Sequence, residues 1–557
     1  PAVTATFPSS ARRGVATLRW AKNPPAHIEN TNATMLQTPH TPEKDAAFVS
    51  RIRRYDSTEW ASPQVTPTSG ERLVAARALG LTPSPPRSRN PSPPSQQRQS
   101  PSLVWAAVAL GLLVRHACSL HPYSGEHDPP RYGDYEAHRH WMEITHHLPL
   151  KQWYAYDTEY WGLDYPPLMA YVEKLLGALS HIYDPASVSL NTSRGYEEGH
   201  HRAFMRFTVL IIDALVAVSA FVALACKLEA TTKRRSLLIA LCVLAPAPIL
   251  VDHGHFQYNC LPLGLTLWSA LFIDDRPYLA SVLFTLALHS KQTALYYAPA
   301  VFCELLGRNL EVTKIMKLGA VVLMTSLLLW LPLIKEGVAF QALRRCFPVA
   351  RGVFEDKVGN AWYAAQVFLR ARDRLDQSSL IKVAAVLTAL GSFAPCLLRC
   401  RRVARGQDRS LANILRSLHV SALAFFLFSY HVHEKGILVP LYPLLPLSLA
   451  ERDYAAAFSL LSAFTLLPLL HYEGLALAYG ASVALYVLAW YDHKPRRAFA
   501  AFACLVPLHF MPLVVPPPAR YPDLYPALVA LLGAAGFGLA YAAVALHELK
   551  PWRHKLD

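Results

Sequence analysis

Apolar runs of membrane-spanning length dominate the chain from residue 102 onward and alternate with short polar loops. A helix needs about 17–25 residues to cross the hydrocarbon core, and it satisfies its own backbone polar groups there. Apolar residues make up 53% of the 557 residues, and charged residues only 17%. The pattern predicts an all-α polytopic membrane protein with about 14 transmembrane helices, of which the four between residues 236 and 307 are the hardest to delimit.

The first hundred residues have a different composition. Pro, Ser, Arg and Thr dominate, and the segment ends in GLTPSPPRSRNPSPPSQQRQSPS. Such a segment cannot bury enough apolar surface to form a core. We expect residues 1–101 to be a disordered tail and residues 102–557 to form one transmembrane domain, in which residues 121–203 are the first long lumenal loop.

The distribution of charge predicts an orientation. The formal net charge is +15, and in a membrane protein such an excess usually lies in cytoplasmic loops, so we expect no nucleic-acid partner. If the tail is cytoplasmic, basic loops such as RCRRVARGQDR share its side. The lumenal face then receives the loops rich in His, Asp, Glu and aromatic residues, and chemistry is expected there.

Metal binding is weakly indicated. The nine cysteines contain no CxxC pair, so we predict no structural zinc. One alternative stays open, because Asp252, His253 and His255 of VDHGHFQYN loosely resemble a set of metal ligands.

The segment RYGDYEAHRHWMEI carries the first candidate for catalysis. If a helix begins after Gly133, Asp134 and His138 share one of its faces. Asp134 would then be either a catalytic carboxylate or part of a solvated helix cap.

A second candidate segment is QWYAYDTEYWGLDYPPLMAY. Its Trp and Tyr side chains suit either an interfacial belt or platforms that stack on sugars. Pro166 and Pro167 are typical of a helix start, which would hold Asp164 near that terminus. Further along, Lys291 of HSKQTALYYAP could snorkel to the interface or bind phosphate.

Two further loops combine acids with cations. FPVARGVFEDKVGNAW contains Arg351, and SYHVHEKGI contains His433, Glu434 and Lys435. A substrate with a phosphate and several hydroxyls would suit this set, since cations hold phosphate and a carboxylate can receive a proton.

Taken in order, seven motifs resemble those of the dolichyl-phosphate-glucose-dependent α-1,3-glucosyltransferases of the endoplasmic reticulum. The resemblance runs from about residue 102 to the end of the chain, and seven ordered motifs are far more specific than any single one. GDYEAHRHW and RGVFEDKVGN resemble the members that add the first glucose. The motifs are SGEHDPPRYGDYEAHRHWMEIT, QWYAYDTEYWGLDYPPL, TSRGYE, DHGHFQYN, KQTALYYAP, FPVARGVFEDKVGNAW and HVHEKGIL.

The resemblance implies a GT-C fold in the endoplasmic reticulum membrane, with the active site on the lumenal face. It implies dolichyl-phosphate glucose as donor, dolichyl-diphosphate-linked Man9GlcNAc2 as acceptor, and inversion at the anomeric carbon. It also implies that the active site needs no metal and no cofactor. Membrane lipid surrounds the helices, because both substrates carry polyprenyl tails.

The resemblance also implies roles for individual residues. Asp134 corresponds to the family's general base. His433 and Lys435, with Arg351 as a weaker candidate, are expected to contact the donor phosphate. Asp164, Tyr165 and Glu434 are expected to bind or orient substrate. This sequence departs from the family pattern at His138, a position where the family is expected to have Gln.

Three other functions remain open at this stage. The chain could add the second glucose of the same pathway. It could be a lipid or sugar transporter, because Arg206 and Asp213 lie seven residues apart on one predicted span. It could also be an inactive scaffold that keeps the fold.

Overall fold

A computed structural model describes residues 102–347 and 357–549. Within these two ranges every regular element is a helix, so the predicted all-α class is confirmed. The tail expected at residues 1–101 lies outside the described residues.

The described residues of the first range form eleven principal helices. They are α1 (Ser102–Ser119), α2 (Asp134–His147), α3 (Pro167–Tyr183), α4 (Gly199–Leu228), α5 (Thr232–Val243), α6 (Pro246–Phe256), α7 (Cys260–Phe272), α8 (Pro277–Ser290), α9 (Ala298–Arg308), α10 (Val312–Lys335) and α11 (Ala339–Cys346).

The second described range adds ten more. They are α12 (Ala361–Leu369), α13 (Gln377–Ala404), α14 (Leu411–Phe428), α15 (Leu438–Leu444), α16 (Arg452–Thr465), α17 (Leu467–Tyr472), α18 (Ala476–Ala489), α19 (Arg496–Ala503), α20 (Val506–Val514) and α21 (Leu524–Leu549). Short helical turns connect some of these helices, at Leu150–Gln152, Pro185–Val188, Gln292–Tyr297, Ala371–Arg374, Glu434–Ile437, Leu445–Leu447 and Tyr491–His493.

Among the described residues, six helices are long and apolar enough to cross a membrane: α1, α4, α10, α13, α14 and α21. The pair α5 and α6 passes the same test jointly but bends by 47°. Pro246 starts α6, where a missing backbone N–H is tolerated and a straight continuation is not. The chain is therefore a multi-pass membrane protein, and the further spans of the predicted fourteen stay a prediction.

The apolar core lies where these helices pack on one another. α7 packs on α8, α13 on both α9 and α14, and α1 on α5. The fully buried large side chains there include Phe221, Tyr297 and Tyr442. The functional loops are carried at the ends of this bundle.

Two helices between α1 and α4 form a closely packed pair. A methyl group on Gly177 of α3 would stand 2.6 Å from the carbonyl oxygen of Met142 on α2. Only glycine, which has no side chain, lets the backbones of α2 and α3 approach this closely. α3 begins at Pro167, with Pro166 as its cap, as the sequence predicts.

The aromatic loop between α2 and α3 builds a small core of its own. Trp153 is 3% exposed, Tyr154 is 1% exposed, and both pack with Trp141 and Leu163. The alternatives of an interfacial belt and a sugar-stacking platform are therefore both wrong for Trp153 and Tyr154. The rings fill space between the helices instead.

The solvated cap considered for α2 is also wrong. Arg139 is fully buried and donates to Glu136 Oε2 at 2.6 Å and to Glu143 Oε2 at 2.9 Å. His138, equally buried, has its Nδ1 2.6 Å from Glu173 Oε1 of α3. A buried charge is tolerated only when it is paired, so α2 is held in place by its polar side chains.

Candidate active site

Asp134 is the first residue of α2, and its place depends on the residue before it. A methyl group on Gly133 would stand 2.4 Å from the carbonyl oxygen of Ser124, so no larger residue fits there. The backbone N–H of Asp134 donates to Ser124 Oγ at 3.3 Å. The side chain is 22% exposed, which leaves the carboxylate within reach of a substrate.

Three side chains from two distant segments converge on one oxygen of this carboxylate. Asp134 Oδ2 accepts from Lys435 Nζ at 2.7 Å and lies 2.8 Å from His255 Nε2. It also accepts from the amide of Gln257. No donor from residues 102–347 or 357–549 reaches Oδ1, so that oxygen is the one open to a hydroxyl group.

A second carboxylate orients the imidazole. His255 Nδ1 lies 2.6 Å from Glu473 Oε1, and both side chains are buried. His255 Nε2 also lies 3.0 Å from Lys435 Nζ. A histidine held between two carboxylates is fixed in position and suited to passing a proton from one to the other.

The charges around Asp134 determine its protonation state. Burial alone would raise the pKa of Asp134, but the positive charge of Lys435 and the hydrogen bond from His255 outweigh burial and hold that pKa well below its ordinary value. Burial opposes the charge on Lys435, yet Asp134 and Glu434 leave the pKa of Lys435 raised. The pair is therefore ionised at neutral pH.

Lys291 organises a second layer behind the carboxylate. Its Nζ donates to Gln257 Oε1 at 2.5 Å and to Asn259 Oδ1 at 2.7 Å. Because the Gln257 carbonyl is thus occupied, its amide is directed at Asp134. Burial and the nearby Lys435 lower the pKa of Lys291. Snorkelling is therefore the wrong interpretation of this lysine, because its half-buried ammonium group is hydrogen-bonded to Gln257 and Asn259.

Two predicted substrate residues lie beside this layer. Lys291 Nζ is 5.1 Å from the centre of the Tyr165 ring, which packs against Trp141 at 4.7 Å. Asp164 is half-buried, and its charge raises the pKa of Lys291 against the effect of burial. Both residues precede the start of α3, as expected.

The predicted HVHEK residues do not all meet the carboxylate. Glu434 and Lys435 belong to the turn Glu434–Ile437, and of the two it is Lys435 that bonds to Asp134. His433 is exposed, and its ring centre lies 5.0 Å from that of His431. Arg351 lies outside the described residues.

The metal alternative at VDHGHFQYN does not fit the geometry. Asp252 accepts from the backbone N–H groups of Asn259 and Cys260, at the start of α7. His253 Nε2 lies 2.8 Å from Asp213, whereas His255 faces Asp134. The three side chains thus have three separate sets of partners and cannot share one ion in this arrangement.

The pair that suggested transport also has protein partners. Arg206 donates to the carbonyl oxygens of His253 and Gly254, and Asp213 accepts from Arg115 Nε at 2.6 Å. These contacts join α4 to α6 and α1, which is a structural role for both charges.

Four residues of the site were not among those expected at the catalytic carboxylate: His255, Gln257, Lys291 and Glu473. His255 had been considered only as a metal ligand, and Lys291 only as a snorkelling or phosphate-binding residue. Three of the four stand in motifs that the sequence had singled out, DHGHFQYN and HSKQ. Glu473 lies in the short loop HYEG, where one acid beside an apolar run carries little local signal. The available signal was the recurrence of ionisable residues at span ends, without any indication of which ends meet.

The helices form a bundle with several membrane spans. At one site an ionised carboxylate contacts an imidazole and an ammonium group, which is typical of acid–base catalysis, so the chain is of the class of multi-pass membrane enzymes. The chain belongs to the ALG6, ALG8 glycosyltransferase family, whose model matches residues 107–544. That range contains every site residue described above. The family is of the GT-C type of membrane glycosyltransferase.

Similar proteins cover most of the chain. The dolichyl pyrophosphate Man9GlcNAc2 alpha-1,3-glucosyltransferase of Mus musculus is 38% identical, over 78% of this chain and 95% of its own. The enzyme of that name in Gallus gallus is 36% identical, over 78% and 94% respectively. The one in Saccharomyces cerevisiae is 34% identical, over 78% and 89%.

Proposed function

We propose that this protein transfers glucose from dolichyl-phosphate glucose to dolichyl-diphosphate-linked Man9GlcNAc2, forming an α-1,3 linkage with inversion at the anomeric carbon. The observation that carries the proposal is the ionised carboxylate of Asp134, held by Lys435 and His255 with one oxygen left open. Family membership and the printed names of the relatives, which specify Man9GlcNAc2, support this acceptor.

The reaction is a single displacement with Asp134 as general base. The 3-hydroxyl oxygen of the acceptor mannose attacks C1 of glucose, and its proton passes to Asp134 Oδ1. The bond from C1 to the phosphate oxygen breaks, and its electron pair leaves with dolichyl phosphate. One negative charge therefore moves from the carboxylate to the departing phosphate, whose stabilisation lowers the barrier.

Lys435 can pair with the negative charge both on Asp134 and on the donor phosphate. While it contacts Asp134, it lowers the pKa of that carboxyl and weakens it as a base. A donor phosphate that attracts the ammonium group raises the pKa of Asp134 and at the same time gains a counter-charge for the leaving group. Binding of the donor thus prepares the base, and an empty site stays unreactive.

His255 and Glu473 provide a path for the proton after transfer. His255 Nε2 lies 2.8 Å from Asp134 and its Nδ1 2.6 Å from Glu473. Rotation of the protonated carboxyl group brings its proton to the oxygen position that faces His255. When His255 carries its own proton on Nδ1, hydrogen-bonded to Glu473, its Nε2 accepts the proton from Asp134, and the carboxylate is restored for the next cycle.

The remaining predicted residues have roles in substrate binding under this proposal. Asp164 and Tyr165, at the start of α3, hold acceptor or donor hydroxyls. His433 and Lys435, with Arg351 as a weaker candidate, contact the donor phosphate, and Glu434 binds or orients substrate. The reaction needs no metal and no cofactor, because positioned cations supply the charge.

The proposal places residues 102–557 in the endoplasmic reticulum membrane as one domain of about 14 spans, with membrane lipid around it and the active site in the lumen. Asn191 begins the sequon NTS in the loop 121–203, and Asn32 begins NAT in the tail. A glycan lost in Asn191→Gln but not in Asn32→Gln supports this orientation. The opposite result reverses it.

The direct test is glucosyl transfer from dolichyl-phosphate glucose by the full chain in detergent, with a chelator present. Asp134→Asn should lose transfer while keeping donor binding. Asp275→Asn is a matched control, because Asp275 forms only an exposed pair with Lys227. Supplying acceptors with no glucose and with one glucose separates the proposed activity from second-glucose addition. Full transfer by Asp134→Asn would refute the assignment of the base.

A further inference from the structure

Three histidines meet at the far end of the α2–α3 pair. His146 and His147 form the last turn of α2, and His181 lies in the last turn of α3. One nitrogen from each ring lies within 4.8 Å of the other two. The ring centres of His146 are 4.6 Å from His147 and 4.7 Å from His181. No polar group of the described chain forms a hydrogen bond with any of these rings, in contrast to His138 and His255.

We propose that these three imidazoles bind a divalent transition-metal ion of the zinc type, contrary to the absence of structural zinc that the cysteine pattern predicts. Zinc takes histidine nitrogens at about 2.0–2.1 Å, so ligand atoms of a tetrahedral site stand about 3.4 Å apart. His147 and His181 are exposed and His146 half-buried, so small side-chain rotations bring the nitrogens from within 4.8 Å to that spacing. Water completes the fourth position.

The surroundings select the kind of ion. Calcium and magnesium prefer oxygen ligands, and the cluster offers three imidazole nitrogens. The negative end of the α2 dipole lies at this turn and favours a cation. Lys174 donates to the Thr145 carbonyl at 3.2 Å and is the charged neighbour that the metal has to tolerate.

The position of the cluster excludes a part in the displacement reaction. His146 lies twelve residues after Asp134 on the same helix, a distance of about 18 Å at 1.5 Å per residue. A bound ion instead joins the C-terminal ends of α2 and α3, whose starts carry Asp134 and Asp164. The site therefore acts on the stability of the pair and does not depend on the proposed reaction.

The test is zinc binding by the full chain, prepared without a polyhistidine tag and stripped of metal. Titration calorimetry should find one zinc per chain, and zinc should raise the thermal unfolding temperature. His147→Asn and His181→Asn should each weaken binding by more than about 100-fold, since even changes behind a ligand cost ~10–100-fold. His493→Asn, in a separate helical turn, is the control and should bind as the intact chain does.

Two further measurements keep the result interpretable. The metal-free unfolding temperature of each variant shows whether it folds, and exposed rings such as His147 and His181 should be replaceable without loss. Cobalt absorption distinguishes nitrogen from thiolate ligands, because Cys226 and Cys504 are exposed. Absence of stoichiometric binding, a thiolate spectrum, or zinc affinity unchanged in both histidine variants would each overturn the proposal.

Discussion

Lys435 Nζ lies 2.7 Å from Asp134 Oδ2, although 301 residues separate the two in sequence. The contact couples the protonation of the carboxylate to the position of the ammonium group. A carboxylate with such a partner stays ionised to lower pH than a free one, because losing the proton creates an attractive charge pair.

Replacing this lysine should therefore change the pH dependence of transfer as well as its rate. In Lys435→Met the pKa of Asp134 rises, so the base becomes protonated at a higher pH and the acidic limb of kcat/KM moves upward. The rate at the optimum should fall about 100–1,000-fold, as expected for a lost charge stabiliser. A pH–rate series on Lys435→Met and Lys227→Met checks this, since Lys227 forms only an exposed pair with Asp275. An acidic limb that stays in place would show that another group controls Asp134.

Glu473 acts on the reaction only through His255, whose Nδ1 lies 2.6 Å from its carboxylate. Glu473→Gln keeps the shape but removes the charge that orients and supports the imidazole. We expect kcat to fall about 10–100-fold, comparable to other losses of an orienting partner, with KM for the donor little changed. Steady-state kinetics separates the two constants. Glu311→Gln is the control, because Glu311 is exposed and bonds to Lys314. A rise in KM with unchanged kcat would make Glu473 a binding residue.

The part of the site that the sequence predicts is the part formed by local pattern. α2 begins at Asp134 because Gly133 and two early acids favour a helix start, and α3 begins at Pro167 for its ring geometry. Lys435 was expected from the family resemblance and from a loop that combines charges of both signs beside a span, although with a role at the donor phosphate and not at Asp134. Each of these inferences needs only neighbours in sequence.

The contacts among these segments could not be predicted in the same way. His255 meets Asp134 across 121 residues and Glu473 across 218. Which helix ends meet depends on how α6 bends and packs, and hydropathy carries no information on that. The same reasoning explains why the spans between residues 236 and 307 were the hardest to delimit from sequence. This region contains the bent pair α5 and α6 and the short helices α7 and α8, whose boundaries hydropathy alone does not define.

The close approach of α3 to α2 predicts a stability effect from a single methyl group. In Gly177→Ala the new Cβ stands 2.6 Å from the Met142 carbonyl oxygen, so backbone must shift. The expected cost is about 1–3 kcal/mol, typical of overpacking. Gly319→Ala is matched in chemistry and helical setting, but no atom of the described chain lies within 4 Å of its new Cβ. Thermal unfolding in detergent should show a lower transition for Gly177→Ala alone. Equal shifts in both variants would mean that α2 and α3 separate readily.

The contacts of Glu143 predict that the folded state loses stability at acidic pH. Its carboxylate is buried and accepts from Arg139 Nη1 at 2.9 Å and from the backbone N–H of Asn191 at 2.8 Å. Burial raises the pKa of Glu143, but the hydrogen bond from His140 and the charge of Arg139 outweigh it and lower the pKa to about 2. Since the folded pKa lies below the unfolded one, the stabilisation is complete above the unfolded pKa and is lost as pH falls toward 2. At about 1.4 kcal/mol per pKa unit the effect is of the order of 3 kcal/mol.

Glu143→Gln removes this contribution at every pH. The unfolding temperature of the variant should therefore lie below that of the intact chain at neutral pH, and the difference should shrink as the pH is lowered from about 5 toward 2. Differential scanning fluorimetry across that range measures it. Glu311→Gln should follow the intact chain throughout, because its carboxylate is exposed to water. A difference that stays constant with pH would mean that Glu143 stabilises α2 by its shape and neutral hydrogen bonds, so the charge pair with Arg139 would contribute no net stability.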